Sequence, residues 1–193
     1  VCVSTERIYV SEEIADAFEA EVISRTQELT VGNGAEDETQ IGPMVSNEQK
    51  QIVLAQLAQA KEDGAHVACG DTPMEGNYVR PTVLTGLSHD MSIMRDETFG
   101  PVACIMRVAD GNEAVKLAND TPYGLGAVVF GETEADAVAR QLTAGMIGVN
   151  QGCGGAEGTP WVGAKQSGYG YHSGPEGHRQ FAQVRLVSKP CSN

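Results

Sequence analysis

The 193-residue sequence predicts an α/β fold: a layered, largely parallel sheet flanked by helices, with a C-terminal loop and strand arm. Three observations support this class. Short β-branched and aromatic runs alternate with segments of helical periodicity. Several of those runs are apolar without alternation, as strands buried on both faces are. From about Gln151 onward, glycines crowd together and helical periodicity ends, which predicts the loop and the arm.

The first predicted elements are a strand and a helix. Residues 7–10 form a β-branched and aromatic run, and Ser11 is placed to cap the helix that follows. Glu12 and Glu13 lie in the first turn, where the helix dipole favours acids. Apolar residues at helical spacing then predict one buried face, made of Ile14, Phe18 and Val22.

A capping box predicts the start of the second helix. Ser46 is followed three residues later by Gln49, so that the hydroxyl and the amide can each bond a backbone N–H of the first turn. Gly64 is predicted to end the helix. Its buried face is predicted to comprise Ile52, Val53, Leu57 and Ala60.

Further strands and two short helices complete the predicted order. The strands are predicted at residues 66–69, 79–84, 102–108, 125–130 and 146–149. Asp110 and Thr133 are placed to cap the two helices, and Gly145 to close the second. A last strand is predicted at residues 183–187.

Composition narrows the classes of function. The formal net charge is -13, which argues against binding nucleic acid or an anionic membrane, because both need a basic surface. The apolar stretches are too short to span a membrane, and the N-terminus lacks a signal-peptide pattern. The five cysteines form no C-x-x-C pair, which favours reduced thiols in the cytoplasm over a disulfide framework or a metal site.

Loops at the carboxyl ends of strands are where function is expected in open α/β sheets. Cys2 precedes the first strand and is a nucleophile if nearby N–H groups or positive charge favour its thiolate. Glu97 and Phe99 lie in a Gly-Pro turn before the strand at 102–108. They present either a carboxylate and an aromatic face to a ligand, or a solvated acid beside a core phenylalanine.

A glycine-rich segment, residues 150–168, carries Cys153 and the single tryptophan, Trp161. Its glycines indicate either a flexible tip or a backbone that approaches a ligand closely. Trp161 is correspondingly either a packing anchor or the wall of a pocket. His172 and His178 have no third ligand nearby in sequence, which predicts solvent or oligomer contacts and no metal site.

Four ordered motifs resemble the C-terminal catalytic half of the NAD(P)-dependent aldehyde dehydrogenases. Val1-Cys2 with Arg7 resembles the end of the family's Gly-Gln-x-Cys motif, and residues 97–101 match its Glu-x-Phe-Gly-Pro motif. Residues 119–125 match Asn-x-x-x-Tyr-Gly-Leu, and residues 145–150 with 160–168 resemble the terminal Val-Asn and Pro-Phe-Gly-Gly-x-Lys-x-Ser-Gly segment. The resemblance runs from residue 1 to about 189.

The resemblance implies a role for each candidate. Cys2 would attack an aldehyde as the nucleophile, and the product acid would form through a thiohemiacetal and a thioester with hydride transfer to NAD or NADP. Glu97 would bond the nicotinamide ribose, and Phe99 would pack near the nicotinamide. Trp161 and Cys153 would line the aldehyde pocket, with Trp161 favouring an apolar or aromatic aldehyde. A homodimer or homotetramer is implied, with the C-terminal arm adding a strand to a neighbour.

The resemblance also implies an organisation. Residues 1–150 would be part of the catalytic domain, and residues 151–193 the substrate-pocket loop and oligomerisation arm. In this family the dinucleotide-binding half, the general base and the oxyanion asparagine precede the nucleophile. The chain is therefore expected to be a fragment that begins at the catalytic cysteine and is inactive alone. The alternatives are a non-enzymatic assembly or structural module built on the same fold, and a reductase relative that acts on activated acyl groups.

Overall fold

The computed structural model describes residues 2–154 and 158–190, which form two compact units that divide between Thr121 and Pro122. Strands and helices occur in both units, and three of the five strand pairs are parallel, which confirms the α/β fold class. Val1, residues 155–157 of the glycine-rich segment and residues 191–193, which include Cys191, lie outside the described residues. The predicted division at residue 150, between the catalytic domain and the pocket loop with its arm, concerns function and stays a prediction.

The first unit contains a four-stranded sheet. Its strands are β1 (Ile8–Ser11), β2 (His66–Cys69), β3 (Thr82–Thr85) and β4 (Val102–Val108), in the order β1-β4-β3-β2. β4 pairs in parallel with β1 and β3, and β2 is an antiparallel edge strand on β3. β3 begins later than predicted because Pro81, which has no N–H for the ladder, comes just before it.

The helix α1 (Glu12–Glu28) follows β1 directly. Ala15 is fully buried, and Phe18 and Val22 pack on the same cluster, so the helical face was predicted in the right region. Ile14 is 58% exposed, however, and its predicted burial is wrong. The helix is turned so that Ala15 occupies the inward position, one residue along from the predicted one.

The helix α2 (Asn47–Glu62) begins as predicted, because the Ser46 hydroxyl accepts a hydrogen bond from the Gln49 N–H at 3.2 Å. Ile52, predicted to be buried, is 48% exposed. Lys50 is buried instead, and its ammonium donates to the carbonyls of Met74 and Gly76. The buried apolar residues of this helix are Val53, Leu57 and Ala60, as predicted.

Two apolar clusters lie on the two faces of this sheet. Leu84 and Cys104 pack with α2, whereas their neighbours Val83 and Ile105 pack with α1. Successive residues of a strand point to opposite faces. Both faces of β3 and β4 are therefore covered, which explains why these strands read as continuous apolar runs. The helix α3 (Gly111–Asn119) follows β4 and is capped by Asp110, whose carboxylate accepts from the Glu113 N–H.

The second unit contains two small sheets. β5 (Gly126–Val129) pairs in parallel with β6 (Met146–Val149), and β7 (Trp161–Val162) pairs antiparallel with β8 (Tyr171–His172). Two short helices accompany them, α4 (Ala135–Ala139) and α5 (Gly174–Arg179).

Three sequence predictions in this unit are wrong. α4 is preceded by Glu134 as its N-cap, not Thr133, and it ends well before Gly145. A Cβ atom at position 145 would lie 2.1 Å from the Val162 carbonyl oxygen, so close backbone approach is what this glycine provides. Residues 183–190 form no strand within the chain, because nothing in the described residues pairs with them.

Among the described residues, no helix is both long enough and apolar enough to cross a bilayer.

Candidate active site

Cys2 lies in a turn that leads into β1, and its thiol is free and exposed. Exposure makes the sulfur accessible to a dissolved electrophile. Cys104, in β4, contrasts with it: burial, together with the negative charge of Glu6, raises the pKa of the Cys104 thiol to about 12. A thiolate is the reactive form, so Cys104 is held inert while Cys2 is available.

The loop that contains Glu97 and Phe99 presents both side chains outward. Glu97 is exposed, and Phe99 is 41% exposed with a backbone φ of 50°, in the left-handed region that non-glycine residues rarely adopt. Thr98, between them, is 1% exposed. The alternative in which Phe99 is a core residue is therefore wrong, because the residue that faces the interior is Thr98.

Glu6 joins the Cys2 segment to this loop. One carboxylate oxygen of Glu6 accepts a hydrogen bond from the Thr98 N–H at 3.0 Å, and the other accepts from the Phe99 N–H at 3.1 Å. The two segments are 92 residues apart in sequence. Cys2 lies four residues before Glu6 in the segment that these bonds connect to the loop.

Two side chains of α2 hold the other polar groups of the loop. The Gln49 amide donates to the Thr98 carbonyl at 3.0 Å, and the Gln56 amide donates to the Glu97 carbonyl at 3.3 Å. Two N–H groups and two carbonyls of the turn are thus bonded by side chains. Such bonds satisfy backbone groups that the loop cannot pair within itself.

Sequence reasoning missed Glu6 and Gln56, and it gave Gln49 another partner. A capping box requires the Gln49 side chain to bond back to its own helix, but it bonds the Thr98 carbonyl instead. Glu6 lies only four residues after the candidate nucleophile, and that proximity is the one signal that the sequence carries. Its partners cannot be read from sequence because they lie so far along the chain.

The second unit places Trp161 on the wall of an open cleft of about 400 Å³. The Trp161 ring stacks on His172, with ring centroids 6.2 Å apart and planes inclined by 20°. His172 is exposed, as predicted, and this ring contact is one that the sequence did not predict. The lining includes five aromatic side chains, those of Trp161, Tyr169, Tyr171, His172 and Phe181.

Cys153 lies in the same unit, against β5. A Cβ atom at Gly126 would be 2.7 Å from the Cys153 sulfur, and one at Gly154 would be 3.2 Å from the Trp161 ring. The absence of a side chain at Gly126 and Gly154 therefore leaves space for Cys153 and for Trp161, the two predicted pocket residues. The structure brings Cys153 and Trp161 into one unit and Cys2, Glu97 and Phe99 into the other.

Metal ligation has no candidate among residues 2–154 and 158–190. No group of three or more His, Cys, Asp or Glu side chains in that part of the chain could hold an ion.

Sequence comparison identifies the chain, which belongs to the aldehyde dehydrogenase family. The family's sequence pattern matches residues 1–187. An aldehyde dehydrogenase of Paenarthrobacter nicotinovorans is 37% identical over 190 residues, which are 96% of this chain and 42% of that protein.

Solved structures agree with the family assignment. Lactaldehyde dehydrogenase from Escherichia coli superposes with a TM-score of 0.92 at 32% identity, covering 97% of this chain and 40% of that one. Betaine aldehyde dehydrogenase from Staphylococcus aureus in complex with NAD+ superposes with a TM-score of 0.88 at 33% identity, covering 98% and 42%. The chain spans about two fifths of the length of these relatives.

Proposed function

We propose that this chain supplies the nucleophile, part of the nicotinamide site and the aldehyde pocket of an NAD(P)-dependent aldehyde dehydrogenase. The observation that carries the proposal is the pair of hydrogen bonds that the Glu6 carboxylate accepts from the N–H groups of Thr98 and Phe99. They join the segment of the exposed Cys2 thiol to the loop that presents Glu97 and Phe99. Membership of the family supports the same roles.

Cys2 performs the covalent chemistry in this proposal. Its thiolate adds to the aldehyde carbon, forming a C–S bond while the carbonyl π electrons move to oxygen. The Cys2 N–H stabilises that oxyanion. Loss of hydride from the carbon re-forms the carbonyl as a thioester, and water then displaces the sulfur, which releases the acid and restores the thiol.

Glu97 and Phe99 form the part of the cofactor site that this chain supplies. An ionised carboxylate only accepts hydrogen bonds, so the exposed Glu97 suits a pair of ribose hydroxyls. The exposed Phe99 ring offers an apolar surface for a planar heterocycle. A bound nicotinamide supplies the hydride acceptor. Both groups fit NAD and NADP equally, since neither reads the adenosine ribose.

Trp161 and Cys153 are the proposed aldehyde pocket. The aromatic lining of the cleft at Trp161 favours apolar or aromatic aldehydes, because flat apolar rings gain by stacking and charged groups lose hydration there. A preference of the full-length enzyme for small charged aldehydes would contradict this assignment. Trp161→Ala should lower kcat/KM for an aromatic aldehyde more than for a short aliphatic one.

The C-terminal segment is the proposed oligomerisation arm of a homodimer or homotetramer. Val184 and Leu186 are about nine-tenths exposed, and residues 183–190 pair with no strand in the described chain. An extended apolar segment with free backbone groups is suited to strand addition on a neighbour. Removing residues 183–193 should lower the oligomeric state measured by light scattering.

Activity of the 193-residue chain by itself is not expected. The relatives are more than twice as long, and the general base and the main dinucleotide site lie in the additional part in this family. NAD(P)H formation by the isolated chain with any aldehyde would contradict this expectation.

The free thiols at all four described cysteines favour a reducing compartment, and we propose the cytoplasm.

The test uses the full-length polypeptide that carries this sequence. The wild type should form NAD(P)H from an aldehyde, and Cys2→Ala should abolish the reaction while leaving the fold intact. Cys69→Ala is the matched control, because it makes the same change at a partly exposed thiol outside the proposed site. Mass spectrometry should locate a substrate-derived acyl adduct on the peptide that contains Cys2.

Three results would direct the assignment elsewhere. Full activity in Cys2→Ala would remove the nucleophile from the proposal. A wild-type protein that oxidises no aldehyde but reduces an activated acyl group would favour the reductase relative, and one with neither activity that still assembles would favour the structural module.

A further inference from the structure

Resting on the proposed function, we infer that Glu6 is a positioning residue that sets the affinity for the nicotinamide cofactor. It acts through the backbone of the loop that presents Glu97 and Phe99, and it contacts neither the substrate nor the reacting atoms. The inference follows from how the loop is held and from the two segments that Glu6 connects.

The bonding geometry is that of an anion held by two successive N–H groups. Each oxygen of the Glu6 carboxylate takes one N–H, from Thr98 at 3.0 Å and from Phe99 at 3.1 Å. Charge-assisted bonds of this kind are about twice as strong as neutral ones. Their strength offsets the cost of the left-handed backbone at Phe99, whose φ is 50°.

The other side chains known to hold this loop do not reach the Cys2 segment. Gln49 and Gln56 hold the carbonyls of the loop, but both belong to α2 and neither is part of the Cys2 segment. The Thr98 hydroxyl is buried and has no partner in the described part of the chain, so it adds no support. Glu6 is thus the side chain that joins the loop to the nucleophile's segment through both N–H groups.

Removing one of its oxygens should shift the loop. In Glu6→Gln the amide keeps one acceptor oxygen, and its NH2 group faces a backbone N–H that needs an acceptor. Glu97 and Phe99 then lose their fixed position relative to Cys2. The expected effect is on cofactor binding, because the side chains that move are those assigned to the nicotinamide ribose and ring.

Kinetics of the full-length polypeptide test this role. Glu6→Gln should raise KM for NAD(P) about tenfold, the factor expected when a charge-assisted hydrogen bond is lost, with KM for the aldehyde unchanged. Glu6→Asp keeps both oxygens and should restore part of the affinity. Glu13→Gln makes the same chemical change at an exposed position of α1 and should leave both KM values unchanged.

Amide exchange in the 193-residue chain provides a readout that does not depend on activity. Glu6→Gln should speed exchange of the Thr98 and Phe99 N–H groups, while the N–H groups of α3 keep their protection. A variant that remains folded with unchanged exchange at these two amides overturns the hydrogen-bond basis of the inference. Faster exchange with unchanged KM for NAD(P) overturns the positioning role. A wild-type protein without dehydrogenase activity contradicts the proposed function instead, and the exchange result then decides separately whether Glu6 holds the loop.

Discussion

At the scale of single residues, the chain separates its thiols by burial. Cys2 is exposed, Cys69 and Cys153 are partly exposed, and Cys104 is buried in β4. Burial disfavours the charged thiolate, so it raises the pKa of Cys69 as well as that of Cys104. The sequence alone shows several cysteines in apolar surroundings. The order of their reactivity follows from their burial, which only the structure gives.

Alkylation should reveal this ranking. At mildly alkaline pH, iodoacetamide should label Cys2 first and Cys104 last, because a pKa raised from 9.0 to about 12 lowers the Cys104 thiolate fraction about a thousandfold. Peptide mapping by mass spectrometry gives the rate at each site. In denaturant the difference should disappear. Labelling of Cys104 as fast as Cys2 in the native chain would contradict its burial.

Alkaline pH should destabilise the fold through the same residue. The folded pKa of Cys104 lies above its ordinary value of 9.0, so its contribution to stability is complete below pH 9 and is lost as pH rises toward about 12. Tyr9, whose pKa burial also raises, acts in the same direction. Urea unfolding measured between about pH 9 and pH 12 should show that the free energy of unfolding falls as pH rises. In Cys104→Ala this decrease with pH should be smaller. An equal decrease in that variant would assign the effect to other groups.

At the scale of elements, α2 connects the core to the candidate site. Val53 and Leu57 are buried on one face, while Gln49 and Gln56 reach the carbonyls of the loop at 97–99. Packing fixes the helix, and the fixed helix places both amides. The start of this helix therefore affects both stability and the position of the loop.

Removing the cap of α2 should cost stability. Ser46→Ala loses the hydrogen bond to the Gln49 N–H, and the free energy of unfolding should fall by about 1 kcal/mol. Ser24→Ala is the matched control, because Ser24 lies inside α1, where alanine is the better helix former. Chemical denaturation measures both. A loss in Ser24→Ala as large as that in Ser46→Ala would show that the cap is not the cause.

At the scale of the whole molecule, the two units differ in how much apolar surface they bury. The first unit has two apolar clusters on a sheet covered on both faces. In the described part of the second unit, the buried hydrophobic residues are Ala135, Ala139 and Met146. Burial of apolar surface is the main favourable term in folding, so the second unit has less to stabilise it.

Hydrogen exchange should show this difference. Amides of β5 and β6 should exchange faster than those of β3 and β4, because local opening costs less where few apolar contacts are broken. Exchange of the intact 193-residue chain, followed by mass spectrometry or NMR, gives both rates in one sample. Equal protection of the two pairs would mean that the units open together.

The sequence predicted the positions of strands and helices better than it predicted which of their residues are buried. The strands at residues 66–69, 102–108 and 146–149 were predicted at their observed bounds, because β-branched runs between breakers are a local signal. The burial of Ile14 and Ile52 was predicted wrongly. Periodicity gives the spacing of an apolar face, but the residue that turns inward depends on what the helix packs against.

By itself, the sequence determined the α/β class, the order of the elements from β1 to β6, the family and the residue types that carry the proposed chemistry. Those features are encoded locally, in composition, spacing and short motifs. Only the tertiary structure decided that Phe99 faces outward, that Glu6 holds the loop at Thr98 and Phe99, and that Lys50 is buried against two carbonyls. Each of these depends on groups distant along the chain, which folding brings within hydrogen-bond distance and no local pattern specifies.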